Sequence, residues 1–339
     1  MSMNRVKASK TRQAVRRTFL GMFSAAVLLA GGLSQASELD KVTFGTSWYA
    51  QAEHGGFYQA VAEGIYEDYG LDVTIRMGGP QVNGLQLLMA GRYDFVMGYP
   101  IRNINAVNEG LSVVTVAASF QKDPQGLIAH PHVQSLEDVK GRTVLISSSA
   151  QTTFWPWLKA EYGFSDANAR PYTFSLGPFL ANRELVQQAY ISSEPYAAEQ
   201  GGVTPNIFLF ADHGYPPYAT TIETTQGLIE ESPDLVRRFV QASLEGWKSY
   251  LANPEPGNAL IKADNPEMTD EQLAFGLAKI KEYELVTGEE AGSQGIGVMT
   301  HDRWRQIFDF MVEADLVPAS VDYQKAYTLD FLPESPVLP

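Results

Sequence analysis

Three groups of side chains in this sequence have the types and spacing to hold a small ligand. The first is aromatic. Trp48, Tyr49, Tyr99, Phe154, Trp155, Tyr190, Tyr196, Tyr215 and Tyr218 mostly fall in loops or beside strand ends, not on periodic apolar faces. Offset stacking on a planar ring contributes about 0.5–1.5 kcal/mol per aromatic beyond its buried area. Two such platforms with a few polar anchors suffice for a planar heterocycle; the remaining rings are expected to be ordinary core or surface aromatics. The second group is the hydroxyl-rich turn Ser147–Thr153, in which Ser147, Ser149, Gln151 and Thr152 precede a helix. Free backbone N–H groups at such a start bind anionic or polar ligand atoms, whereas a plain N-cap needs only one of the seven residues. The third is Glu194 in Ser192-Ser193-Glu194-Pro195-Tyr196, which either accepts hydrogen bonds from an amino group or ring N–H or caps the next helix. His54 adds a polar ring beside Trp48 and Tyr49.

Other constellations point away from catalysis. The five histidines are His54, His130, His132, His213 and His301. His130-Pro131-His132 has the look of a ligand pair, but proline there marks a turn and no carboxylate adjoins it. Gly78-Gly79-Pro80 lacks the phosphate-loop and dinucleotide patterns and reads as a tight strand–helix turn that lets a ligand approach the backbone. No G-x-S-x-G elbow occurs. With no cysteine in the chain, disulfides, thiolate metal sites and a cysteine nucleophile are excluded. The expectation is a non-enzymatic chain with no catalytic residue, metal or cofactor.

The elements that position these residues alternate between strand and helix. Val42–Gly45, Leu71–Ile75, Tyr93–Met97, Val113–Ala118, Leu127–Ala129, Thr143–Ile146 and Asn206–Phe210 read as strands. Helices are expected from Gly55 to a left-handed stop at Gly70, and over Val82–Ala90, Ile104–Gly110, Phe154–Tyr162 and Leu185–Tyr190. Pro233 after Ser232 opens a mostly helical C-terminal part, with Thr269–Tyr283 and His301–Ala314 as further helices bracing the first lobe. In an open parallel sheet, ligands sit beyond the carboxyl ends of the strands. Trp48, Tyr49, His54 and Tyr99 fall there.

Trp48, His54-Gly55-Gly56-Phe57-Tyr58, Gly64-Ile65-Tyr66, Gly70-Leu71-Asp72-Val73 and Ala90-Gly91-x-x-Asp94-Phe95 together resemble the motifs of the periplasmic solute-binding proteins of the nitrate/sulfonate/taurine group, particularly the thiamine-pyrimidine-precursor branch. The resemblance continues more weakly through Ser135–Arg142, Ser192–Tyr196, Gly295–Met299 and Tyr327–Leu332. It implies an α/β fold of periplasmic-binding-protein type II, with two α/β lobes, a two-strand hinge and the ligand cleft between them. The corresponding divisions are residues 37–124 and 218–339 for lobe 1 and 125–217 for lobe 2. It also implies a monomer that delivers its ligand to a membrane ABC permease. The ligand is expected to be a pyrimidine thiamine precursor or related heteroaromatic bound by Trp48, Tyr49, His54, Tyr99, Ser147, Ser149, Gln151, Thr152, Trp155, Glu194, Tyr196 and Tyr218. An alkanesulfonate or aromatic anion held by Arg76, Arg102 or the Ser147–Thr152 turn is the alternative. The same family includes thiamine-pyrimidine synthases that use pyridoxal phosphate and consume a histidine of their own chain. Gly98 and Arg102 stand where those enzymes keep the lysine and that histidine, which argues against this activity here.

Composition agrees with an exported binding protein. The 339 residues, 45% hydrophobic and 19% charged, suffice for two lobes with ordinary cores. Residues 1–36 read as a secretory signal: a basic segment, an apolar run Phe19–Leu33 and the small-x-small site Ser34-Gln35-Ala36. Arg16-Arg17-Thr18-Phe19-Leu20 also fits a twin-arginine pattern. A periplasmic location without a lipid anchor is expected. Loss of the six cations in this segment, which has no acid, takes the net charge from −14 to −20. Such acidity opposes nucleic acid and anionic membrane as partners.

Overall fold

Val42 and Phe44 turn inward from the strand Asp40–Gly45 (β1), and this strand becomes the second of a five-stranded sheet. The computed structural model describes residues 38–79, 82–172, 175–288 and 290–339, without the side chain of Ser149. The signal expected over 1–36 and Pro80 of the glycine turn lie outside the described residues.

After β1 come α1 (Gly55–Ala62), α2 (Ile65–Asp68), β2 (Leu71–Arg76), α3 (Gly84–Met89), β3 (Phe95–Gly98), α4 (Pro100–Asn108) and β4 (Val113–Phe120). The single helix expected up to Gly70 is therefore two, broken at Gly64, and Gly70 takes the left-handed conformation with φ of 74°. β1, β2 and β3 are parallel, as the helical crossovers between them require.

The chain then crosses to a second sheet built from β5 (Gln125–Ala129), β6 (Val144–Ile146), β7 (Ala169–Pro171), β8 (Val186–Tyr190) and β9 (Asn206–Leu209). Helices α5 (Phe154–Tyr162), α6 (Gly177–Ala181) and α7 (Glu194–Gln200) flank it. Its order is β7-β6-β8-β5-β9, with β5 antiparallel to both neighbours. Leu185–Tyr190, expected as a helix, is mostly the central strand β8. A short apolar run does not distinguish helix from strand by periodicity, and pairing with β5 and β6 on its two sides decides it.

A second crossing returns the chain to β10 (Ala219–Thr225), which pairs antiparallel with β3 and β4 and completes the first sheet as β2-β1-β3-β10-β4. Helices α8 (Gln226–Glu231), α9 (Pro233–Ala252), α10 (Glu255–Asp264), α11 (Asp270–Glu282), α12 (Ala291–Gln294) and α13 (His301–Glu313) follow. Phe44, Phe57, Phe95, Phe239 and Trp247 centre the core of the first lobe. The expected bracing of the first lobe by all C-terminal helices needs correction. Trp304, Ile307, Phe308 and Met311 of α13 join Leu127, Val144, Trp157 and Phe210 of the second lobe in one cluster, together with Ile101 and Ile104 of α4. The last long helix thus packs across both lobes.

Candidate functional site

The loop after β1 is tied down before it reaches the cleft. Thr46 Oγ1 donates to the Trp48 carbonyl at 2.8 Å and accepts from Gly78 N–H at 3.0 Å. A Cβ at Gly78 would collide with the Thr46 carbonyl, so this glycine admits the chain's own loop, not a ligand as expected. Trp48 is half-buried, edge-on to Tyr49 with centroids 5.6 Å apart, and Tyr49 is 41% exposed.

The next turn carries Glu53 and His54, both only 1% exposed. The Glu53 carboxylate accepts a hydrogen bond from Ser192 Oγ, which lies just beyond β8 in the other lobe. Burial pushes the Glu53 carboxyl up to about 7; the nearby Glu194 adds to this, and the Ser192 bond opposes it. Burial lowers the His54 imidazole to about 3, leaving it neutral, and its Nδ1 has no hydrogen-bond partner among the described residues.

From the second lobe, Glu194 opens α7. One of its oxygens accepts from the Tyr172 hydroxyl at 3.1 Å and the other from Tyr190 N–H at 2.8 Å. The carboxylate therefore braces the end of β8 instead of capping α7, and burial raises its pKa. In the first crossing, Asp123 accepts from Gln125 N–H at 2.9 Å and from the Gln125 side chain at 3.0 Å. Burial pushes it up to about 7. Tyr190 feels Glu53 and Glu194, while Tyr215 feels Asp123 and Tyr190; both phenols are raised, chiefly by burial. Neither hydroxyl has a hydrogen-bond partner among the described residues. Glu53, Glu194 and Tyr190 thus lie within electrostatic reach of one another where the lobes meet, with Asp123 of the first crossing and Tyr215 of the second-lobe core adjoining them.

A second feature lies beside α4 and α5. A groove of about 780 Å³ is lined in part by Arg102, Asn105, Gln151, Thr152, Lys159 and Asp315. Within reach of the Arg102 charge, which draws it down, Glu223 of β10 is 1% exposed and pushed up to about 7 by burial. A Cβ at Gly98 would run into the Glu223 carboxylate.

The structure disperses the other expected site residues. Trp155 is fully buried, donates its indole N–H to Asp166 at 2.8 Å and packs edge-on to Phe164. It is a core residue, because α5 turns Phe154, Trp155, Trp157 and Leu158 into the second lobe. Tyr218 is also fully buried; its hydroxyl accepts from Thr300 N–H at 3.2 Å and its ring lies under Arg303 at 5.1 Å. It belongs to the second crossing. Tyr196 packs on Phe275 of α11 at 5.4 Å, and Tyr99 is half-buried against the first-lobe core. Ser147 N–H donates to Gln188 Oε1 at 2.5 Å, and Ser147 Oγ receives Ala150 N–H at 3.4 Å. The Ser149 side chain lies outside the described residues. Gln151 and Thr152 are exposed on the groove. His130 binds the Phe179 carbonyl at 2.9 Å and stacks on the Phe179 ring.

Sequence reasoning passed over Glu53, Asp123 and Tyr172. Glu53 stood beside His54 in an otherwise apolar loop, a signal that was available. Asp123-Pro124 reads locally as a turn.

Two α/β lobes with the strand orders above, joined by two crossings, define the periplasmic-binding-protein fold. The chain belongs to the NMT1/THI5-like family, whose model matches residues 51–256. It is 28% identical over 305 residues to the riboflavin-binding protein RibY of Chloroflexus aurantiacus, covering 87% of each chain. It is 24% identical over 314 residues to the formylaminopyrimidine-binding protein of Halalkalibacterium halodurans, covering 87% of this chain and 92% of that one. Its fold matches the periplasmic aliphatic sulphonate binding protein SsuA of Escherichia coli with a TM-score of 0.62 at 16% identity, over 88% of this chain and 94% of that one. The desulfurization enzyme DSZB shares the fold at a TM-score of 0.55 and 14% identity, over 86% and 97% of the two chains.

Proposed function

We propose that this chain is the periplasmic solute-binding component of an ABC importer. It is exported by residues 1–36 and closes lobes 37–124 plus 218–339 and 125–217 as a monomer around a small planar heteroaromatic, then presents it to a membrane permease without transforming it. The observation that carries this reading is the acceptor-rich seam between the lobes. Glu53, Glu194 and Asp123 are poised to accept hydrogen bonds from ring N–H or amino groups, with the Tyr190 and Tyr215 hydroxyls beside them. Trp48 and Tyr49 at the rim supply ring faces. The relatives named for riboflavin and formylaminopyrimidine support a ligand of this class, and we place a pyrimidine thiamine precursor first and a flavin beside it. A seam of acids with no facing cation among the described residues suits a hydrogen-bond donor better than a sulfonate.

The groove with Arg102, Gln151 and Thr152 favours a second reading, an alkanesulfonate or aromatic anion. A synthase-like reaction is disfavoured, because any side chain at Gly98 meets Glu223. Thermal unfolding against aminopyrimidines, flavins, aromatic acids and alkanesulfonates tests the assignment. A ligand at a hundred times its Kd adds about 2.7 kcal/mol. A shift with aminopyrimidines or flavins that Glu53→Gln weakens supports the heterocycle, whereas a shift with sulfonates alone overturns it.

A further inference from the structure

We propose that closing the two lobes takes up a proton at the Glu53–Glu194 pair, so that closure, and the ligand binding that rests on the reading above, strengthens as the medium acidifies. The argument begins with position. Glu53 precedes α1 in the first lobe, and Ser192 and Glu194 follow β8 in the second, so the contact exists only while the lobes are together. Apart, Glu53 loses the cover of Ser192 and Tyr190 and opens to the cleft, while Glu194 keeps its bonds from Tyr172 and Tyr190 N–H within its own lobe. Together, both lie in a seam where Ser192 offers one O–H, already given to Glu53, and the donors to Glu194 are Tyr172 and Tyr190 N–H.

Among the described residues, the surroundings supply no compensating cation. The charged group that acts on Glu53 is Glu194, another acid. Tyr190 from the second lobe and Tyr250 from α9 face it as neutral phenols. The adjoining His54 is uncharged above about 3. From α11, which packs on this turn, Gly276 approaches Ala52 and Ser192. The cation Lys279 of that helix is paired with Glu282 at 2.8 Å, and Asp264 of α10 is engaged by Tyr58 at 2.8 Å. Two carboxylates brought into one seam without a cation retain a proton, as like-charge pairs do.

The sign follows from linkage. The closed form holds Glu53 at about 7 against 4.5 when solvated. The closed form therefore binds more protons between those values. The benefit is complete below about 4.5 and lost as pH rises through about 7, by up to tenfold in the closure equilibrium per pH unit in between.

The chain has no cysteine, so dyes placed through Asp72→Cys in the first lobe and Arg183→Cys in the second report lobe separation cleanly. The ligand-free protein is titrated from pH 4 to 8 by energy transfer between them. The expected result is a closed population that falls with rising pH and a Glu53→Gln variant in which the slope is abolished. Ser192→Ala, which removes the cross-lobe donor that favours ionised Glu53, moves the transition to higher pH and serves if Glu53→Gln fails to fold. A flat profile, or an unchanged slope in Glu53→Gln, overturns the proposal. A flat profile in a protein that still binds an aminopyrimidine leaves the functional reading intact. A proton-linked closure in a protein that binds none of the panel overturns only the ligand assignment.

Discussion

Glu53 and Ser192, 139 residues apart in the chain, share a hydrogen bond that joins the two lobes. Around it lie acids and phenols from both lobes and the first crossing. The rings named from the sequence divide between this seam, its rim and the cores.

Trp48→Ala removes one stacking platform at the rim while leaving the lobe cores untouched. Stacking of about 0.5–1.5 kcal/mol beyond area corresponds to a roughly two- to twelvefold rise in Kd for an aminopyrimidine or flavin. Calorimetric titration measures it.

Trp155→Ala has the opposite profile. It empties a fully buried site and removes the indole donor to Asp166, which keeps its ion pair with Lys159. Chemical denaturation should show a loss of about 3–5 kcal/mol, with the Kd of the remaining folded protein unchanged within twofold.

Arg303 fastens both crossings to α13: Nε donates to the Pro216 carbonyl at 2.6 Å and Nη2 to the Gln121 carbonyl at 3.1 Å. Arg303→Gln loses charge-assisted bonds that contribute about 1.5–3 kcal/mol each, partly replaced by water. Urea denaturation should show a loss of about 2 kcal/mol, and small-angle scattering a more open ligand-free form.

Asp123 and Glu223 are both raised to about 7 by burial, from 3.8 and 4.5. A carboxyl raised on folding binds its proton more tightly in the folded state. Its contribution is full below the unfolded value and is lost as pH rises through about 7. The urea midpoint of the wild type should therefore drop more steeply between pH 5 and 7.5 than that of Asp123→Asn or Glu223→Gln. Parallel curves would contradict the burial of these acids as the cause of their raised pKa.

Much of the architecture was legible because local patterns suffice for it. Alternating residues in Leu71–Ile75 and the β-branched run at Val113–Ala118 read as strands, and Gly70 read as a left-handed stop. Leu185–Tyr190 was misread because five or six residues carry no decisive period. Trp155 and Tyr218 looked like ligand platforms because strand-end position is visible in sequence, whereas the direction of a side chain from a helix or crossing is not.

The sequence alone determined the alternating α/β order, the family-bearing motifs and the aromatic richness of the loops, since each depends on neighbours a few residues apart. Only the tertiary structure decided which rings are core, that α13 ties the lobes through Arg303, and that Glu53 meets Ser192 beside Glu194. Those relationships join residues 87 to 182 positions apart across the crossings and 139 apart across the cleft. They exist because sheet pairing and lobe contact bring the strand ends together, and no local periodicity encodes that approach.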